Sequence, residues 1–107
     1  MGQRKVRSLG KAEARRLFFQ VRKDRKRVQL NVKHIFCDHP ERKWSRLEII
    51  HLICEKQGSF EENKQPSAWD DSWLWKVVDD DGHDCIFPLR IEEDENGNII
   101  FVITAIR

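Results

Sequence analysis

No stretch of this sequence offers the roughly 18 consecutive apolar residues that a bilayer-spanning helix needs. The opening residues, Met1-Gly2-Gln3-Arg4-Lys5-Val6, lack the apolar core of a signal peptide, and Val6 stands where a myristoylation motif requires Ser or Thr. The three cysteines, Cys37, Cys54 and Cys85, are odd in number and contain no C-x-x-C pair, which argues against a disulfide framework. No internal repeat, low-complexity tract or glycine-containing calcium loop is present. These absences predict a soluble, cytoplasmic protein with no membrane partner and no cofactor.

The 107 residues bound the chain to one domain and one core. A 39% hydrophobic content suffices to fold, and a 36% charged content predicts a densely charged surface. Residues 1–8 read as a flexible basic tail and residues 9–107 as a single domain. The net charge of +2 conceals a division: residues 1–33 carry 12 Lys/Arg against Glu13 and Asp24, while residues 34–107 carry 8 against 16 Asp/Glu. A cationic segment of this kind meets an external polyphosphate, releasing counterions, or it docks on the acidic part of its own chain or of a second copy.

The fold class read from the pattern is α+β: an N-terminal helix, a short strand, a capped helix, then an antiparallel sheet of three to four strands. Ser8 to about Arg22 favours helix, with Leu9, Ala12 and Phe19 on one face and Leu17, Phe18 and Val21 on another. The basic run Arg22 to Arg27 reads as an exposed connection. Val28 to Val32 alternates as a half-buried strand. Ser45 and Glu48 form a capping box opening a helix over 45–57, and Gly58 is placed to end it in a left-handed conformation. That helix shows an apolar face of Leu47, Ile49, Ile50, Ile53 and Cys54, with Leu52 outside it. Residues 59–71 read as a loop. Strands follow over 73–78, 85–91 and 99–106, separated by Asp80-Asp81-Gly82 and by Asn96-Gly97 as a two-residue hairpin turn. Pro88 has no N–H to give and predicts a bulge, or pairing on one side only.

Each cysteine has a histidine nearby: His34 and His39 flank Cys37, His51 precedes Cys54, and His83 precedes Cys85. Thiolate and imidazole suit zinc, but the spacings match no closed zinc pattern, and a zinc-dependent regulator is the weakest of three readings. The acidic clusters Asp79-Asp80-Asp81 with Asp84, and Glu92-Glu93-Asp94-Glu95, flank turns, where charge keeps hairpin ends soluble. The cations make the stronger case. Arg15, Arg16, Arg22, Lys23, Arg25, Lys26 and Arg27 are candidates for nucleic-acid contact, because phosphate needs only cations held at a surface. Phe18 and Phe19 among them read as core. A ribonuclease working without metal needs a proton acceptor, a proton donor and cations for the crowded phosphorane. His34, Arg42, Lys43 and Arg90 are the candidates, and His39 and Arg46 lie among them in sequence.

The order of strand, His-bearing segment, capped helix, loop and three strands resembles the small bacterial domains related to RelE/BrnT-type toxin ribonucleases. The resemblance runs from about Val28 to Arg107 and rests on short stretches. They are Val32-Lys33-His34, Trp44-Ser45-Arg46-Leu47-Glu48-Ile49-Ile50, Asp80-Asp81-Gly82, and Asn96-Gly97-Asn98-Ile99-Ile100-Phe101-Val102-Ile103-Thr104-Ala105. It implies that His34 is the histidine following the first strand and that Arg42 answers to a recurrent arginine. Cys37-Asp38 depart from the pattern, which has another basic residue there. The implied partners are RNA and an acidic antitoxin. The alternative from charge alone is a non-catalytic interaction or homodimerisation module whose basic helix docks on acidic hairpin ends.

Overall fold

The computed structural model describes residues 4–65 and 69–107 and is an α+β domain built on one sheet. Its elements are β1 (Lys5–Val6), α1 (Lys11–Val21), a 3-10 turn (Arg25–Arg27), β2 (Val28–Leu30), a π-helical turn (Lys33–Asp38) and a second 3-10 turn (Pro40–Arg42). Then come α2 (Arg46–Cys54), β3 (Gly58–Glu62), β4 (Ser72–Val78), β5 (Asp84–Asp94) and β6 (Gly97–Val102). The sheet order is β2-β6-β5-β4-β3, with β1 lying against β5 beyond the end of β4. All pairings are antiparallel except β2 with β6, which run parallel. Among the described residues no helix is long and apolar enough to cross a membrane.

One sheet face holds the core. Cross-strand register places Phe60, Trp75 and Phe87 side by side, then Trp73, Leu89 and Val102, then Ile91, Ile100 and Val28. All nine are buried, and each fully buried large side chain contributes about 1.5–3 kcal/mol. Helix α1 turns Ala14, Leu17, Phe18 and Val21 inward, positions i, i+3, i+4 and i+7 that make one stripe. Its untidy periodicity thus resolves onto the second of the two faces read from the sequence. Helix α2 buries Ile49, Ile50, Leu52 and Ile53. Here the expectation is corrected: Leu52 is core, and Leu47 is 76% exposed. The true stripe starts one turn inside the helix, because Leu47 sits at its open first turn.

Ser45 caps α2 as expected, accepting a hydrogen bond from the Glu48 N–H at 3.1 Å. The reciprocal half of the box is absent, since Glu48 pairs with Arg107 at 2.5 Å instead. The helix ends at Cys54, and Gly58 is already the first residue of β3. Its need for glycine is close approach rather than left-handed backbone: a Cβ there would lie 2.2 Å from the Lys76 carbonyl oxygen. Residues 58–62, read as helix end and loop, form a strand antiparallel to β4. Of the remaining loop, residues 66–68 lie outside the described residues.

Three further departures shape the site. Lys5 and Val6 pair with Glu93 and Glu92, and the Arg7 N–H donates to the Ile91 carbonyl at 2.9 Å, so residues 4–7 are held to the sheet rather than loose. The β5–β6 connection is Glu95-Asn96, one residue earlier than expected, with Gly97 at φ 121° pairing Asp94 as the first residue of β6. Pro88 does produce its irregularity, in the neighbouring strand. Val102 pairs Leu89 and Ile106 bridges Ile86, so the last segment spends one residue more than β5 over the same span. The extra residue falls in the Ile103–Ala105 stretch, where the Ile103 N–H donates to the Pro88 carbonyl at 2.8 Å and the proline has no N–H to return.

Candidate functional site

The basic segment is mostly spent on the chain itself. Arg22, read as part of an exposed connection, is buried; its Nε donates to the Ile53 carbonyl at 2.8 Å and its Nη2 to that of Lys56. Its guanidinium lies 4.8 Å from the Trp75 ring centre. Burial pulls its pKa below the ordinary arginine value, against an opposing contribution from Cys54. Arg22 is therefore a cap on the carboxyl end of α2 and is withdrawn from the nucleic-acid candidates. Arg27 binds Asp94 at 2.6 Å and the carbonyls of Gly97 and Asn98, tying the segment to the β5–β6 hairpin. Arg25 pairs with Glu55, and Arg16 with Glu13 at 3.7 Å. Arg15 lies 4.7 Å over the Phe19 ring. Arg15, Lys23 and Lys26 are exposed and have no carboxylate partner among the described residues.

A second set of expected residues does converge, on the sheet face opposite the core. His34 sits on the π-helical turn that follows β2, where the buried Ile35 anchors the turn and leaves His34 half exposed. Its ring meets that of His39 edge-on at 4.8 Å, and its Nδ1 lies 3.6 Å from the Asp38 carboxylate. Asp38 is held below the usual carboxylate range by the hydrogen bond from Lys33, with burial opposing and the charges of Lys33, His34 and His39 adding. Arg42 donates to the Ala105 carbonyl at 3.2 Å and lies 3.4 Å from the Thr104 hydroxyl, while the Trp44 indole N–H donates to the same carbonyl at 3.0 Å. Together they pin the Ile103–Ala105 segment. Lys43 is exposed, with left-handed backbone at φ 55°, between the 3-10 turn and the Ser45 cap.

Between these elements lies a cleft of about 330 Å3, lined by His34, Asn63, Gln65, Trp69 and Thr104 together with the apolar Pro88, Ile103 and Ile106. Arg90 reaches its far wall. It projects from β5 opposite Phe87, Leu89 and Ile91, as alternation predicts, and its guanidinium stands 4.7 Å from the Trp69 ring centre and 5.3 Å from that of Phe101. Arg4 covers Phe101 at 5.1 Å. Both guanidiniums share the buried carboxylate of Glu92, so one positive charge remains. Thus His34 lines the cleft, Arg90 stands behind its Trp69 wall and Arg42 behind its Thr104 wall, whereas Lys43 contacts neither wall. Sequence reasoning missed Trp69, Thr104 and Arg4. Trp69 had a legible signal: a large aromatic amid Asp70, Asp71 and Ser72, where no apolar neighbour exists to bury it.

The cysteines are unpaired: Cys37 is exposed, Cys54 half-buried and Cys85 buried. Burial first, then the Asp79 carboxylate, pushes the Cys85 thiol up to about 11, the state of an inert core residue rather than a ligand. The ligand-type side chains that do gather are Asp79, Asp81 and His83, within 4.8 Å of one another. One oxygen of Asp79 already accepts from the N–H groups of Asp81 and His83, at 3.0 and 2.8 Å, and closes the β4–β5 turn. The arrangement is turn architecture.

The fold and cleft define a small α+β domain with one packed sheet face and one partly open, aromatic and cationic face. Comparison with protein families, curated proteins and solved structures yields no match to this chain.

Proposed function

We propose that this domain contacts RNA through the cleft between the His34 turn and the open sheet face. The observation that carries the reading is the joint placement of His34, Trp69 and Thr104 on one cleft, with Arg42 bound to one wall and Arg90 stacked on the other. Cations and hydrogen-bonding side chains around an exposed aromatic ring suit an anionic chain that carries flat, polar-edged groups. Lys43, chain neighbour of Arg42, is exposed and supplies further charge, while Lys33 beside His34 is paired with Asp38 at 3.0 Å. The motif resemblance to toxin ribonucleases points the same way.

The geometry favours binding over cleavage. Metal-independent cleavage needs a base, an acid and a cation facing the phosphorane. His34 beside Asp38 suits the base, but Arg42 is engaged by Thr104 and Ala105, and Arg90 by Glu92. Self-association through basic and acidic ends fares worse, because the Arg27–Asp94 and Arg25–Glu55 pairs are closed within one chain.

A fluorescently labelled RNA oligonucleotide, titrated with the protein at about 50 and about 200 mM salt, tests the reading. Two or three phosphate contacts predict a slope of log K on log salt of about −2. A Lys43→Ala variant is expected to bind more weakly with a shallower slope. Absence of binding at the lower salt, or a variant that matches wild type, refutes the proposal. Incubation with chelator present carries the cleavage arm: equal cleavage by wild type and His34→Ala removes any catalytic role for His34.

A further inference from the structure

Four tryptophans are present, and three of them, Trp44, Trp73 and Trp75, are core residues. Trp69 alone is 45% exposed. It is nonetheless fixed in place: its carbonyl accepts from the Ser72 hydroxyl at 2.6 Å, and nearby Asp71 holds left-handed backbone at φ 57° while accepting from the Ser8 hydroxyl. Its ring is nearly parallel to that of Phe101, 26° apart with centres at 6.3 Å, and the Arg90 guanidinium lies close to both. Glu92 fixes Arg90, and Arg4 covers Phe101. An ordered stack of cations and rings thus ends on an indole with substantial open surface.

We infer that Trp69 is a stacking platform for an unpaired nucleobase, whose edge meets Asn63, Gln65 and Thr104 in the adjoining cleft. This rests on the RNA reading and names the form of RNA taken. A cation beside one face of an aromatic ring leaves the other face to a flat π system. The neighbouring amides and hydroxyl are donors and acceptors of the kind that read base edges. The apolar Pro88, Ile103 and Ile106 beside them suit the flat face of a base as the polar groups suit its edge. In a duplex the base faces are already stacked on one another, so the platform selects single strands.

The full chain is titrated with a single-stranded oligoadenylate and with an RNA duplex of equal length, following both anisotropy and intrinsic tryptophan fluorescence. The single strand is expected to quench fluorescence and to bind about tenfold tighter than the duplex. Trp69→Ala should lose the quench and about tenfold in affinity, and Trp69→Phe should lose the quench while retaining most of the affinity. Because Trp69 lies outside the core, both variants are expected to keep the wild-type circular dichroism spectrum. Equal binding of single strand and duplex, or a Trp69→Ala variant with unchanged affinity, overturns the platform and leaves RNA contact standing. Absence of binding to either RNA overturns both.

Discussion

Replacing Arg22 by Ala removes a side chain that joins the end of α1, the end of α2 and Trp75. Its guanidinium supplies two N–H donors, one to the carbonyl of Ile53, which the end of α2 leaves without an intrahelical partner, and one to that of Lys56 just past the helix. Hydrogen bonds from a charged donor contribute about 1.5–3 kcal/mol each, and the stacking on Trp75 about 1–2 kcal/mol more. Against this, burying a guanidinium costs desolvation, and water reaching the vacated space recovers part of the carbonyl loss. A net destabilisation of about 3 kcal/mol follows, or a fall in Tm of about 15 °C for a domain of this size. Arg22→Met restores the packed volume but leaves both carbonyls unpaired, so it should lose about 2 kcal/mol. Urea unfolding, followed by the fluorescence of the core tryptophans, measures both. If each variant loses less than about 1 kcal/mol, Arg22 is not the cap described here, and its place among the phosphate-contacting cations is reopened.

Gly58→Ala places a Cβ 2.2 Å from the Lys76 carbonyl oxygen, so β3 must move from β4; a loss of about 1–3 kcal/mol in urea unfolding is expected, and a neutral result refutes the close-approach role. The Arg27 hydrogen bond is the largest influence holding the Asp94 carboxyl below its usual range. A depressed folded-state pKa stabilises the fold above the unfolded value of about 4 and loses that contribution as pH falls through the folded one. Stability measured from pH 7 down to about pH 3 should therefore fall less steeply for Asp94→Asn than for wild type; parallel curves count against the pair as an anchor.

Much of the carboxy-terminal half was legible because its signals are local. Alternation placed Phe87, Leu89 and Ile91 on one face and Arg90 on the other, and the Asp80-Asp81-Gly82 turn stands where expected, with Gly82 at φ 86°. Ser45 caps α2 through a partner three residues away. The candidate site was half legible: His34 and Arg90 were chosen for their chemistry, and the fold sets His34 in the cleft and Arg90 behind its Trp69 wall. Trp69 and Thr104 were not, since they reach it from a loop and from the irregular segment that follows β6 opposite Pro88.

By itself, then, the amino-acid order determined the class of fold, most strands and the inward side of β5, because burial period and turn chemistry act over a few residues. Only the tertiary structure decided the parallel pairing of β2 with β6 and the fate of the amino-terminal cations. A guanidinium looks the same in sequence whether it faces water, caps a helix as Arg22 does, or clamps a hairpin 67 residues away as Arg27 does. Its role is set by which carbonyls and carboxylates the folded chain carries to it, and chain separation erases that information from any local pattern.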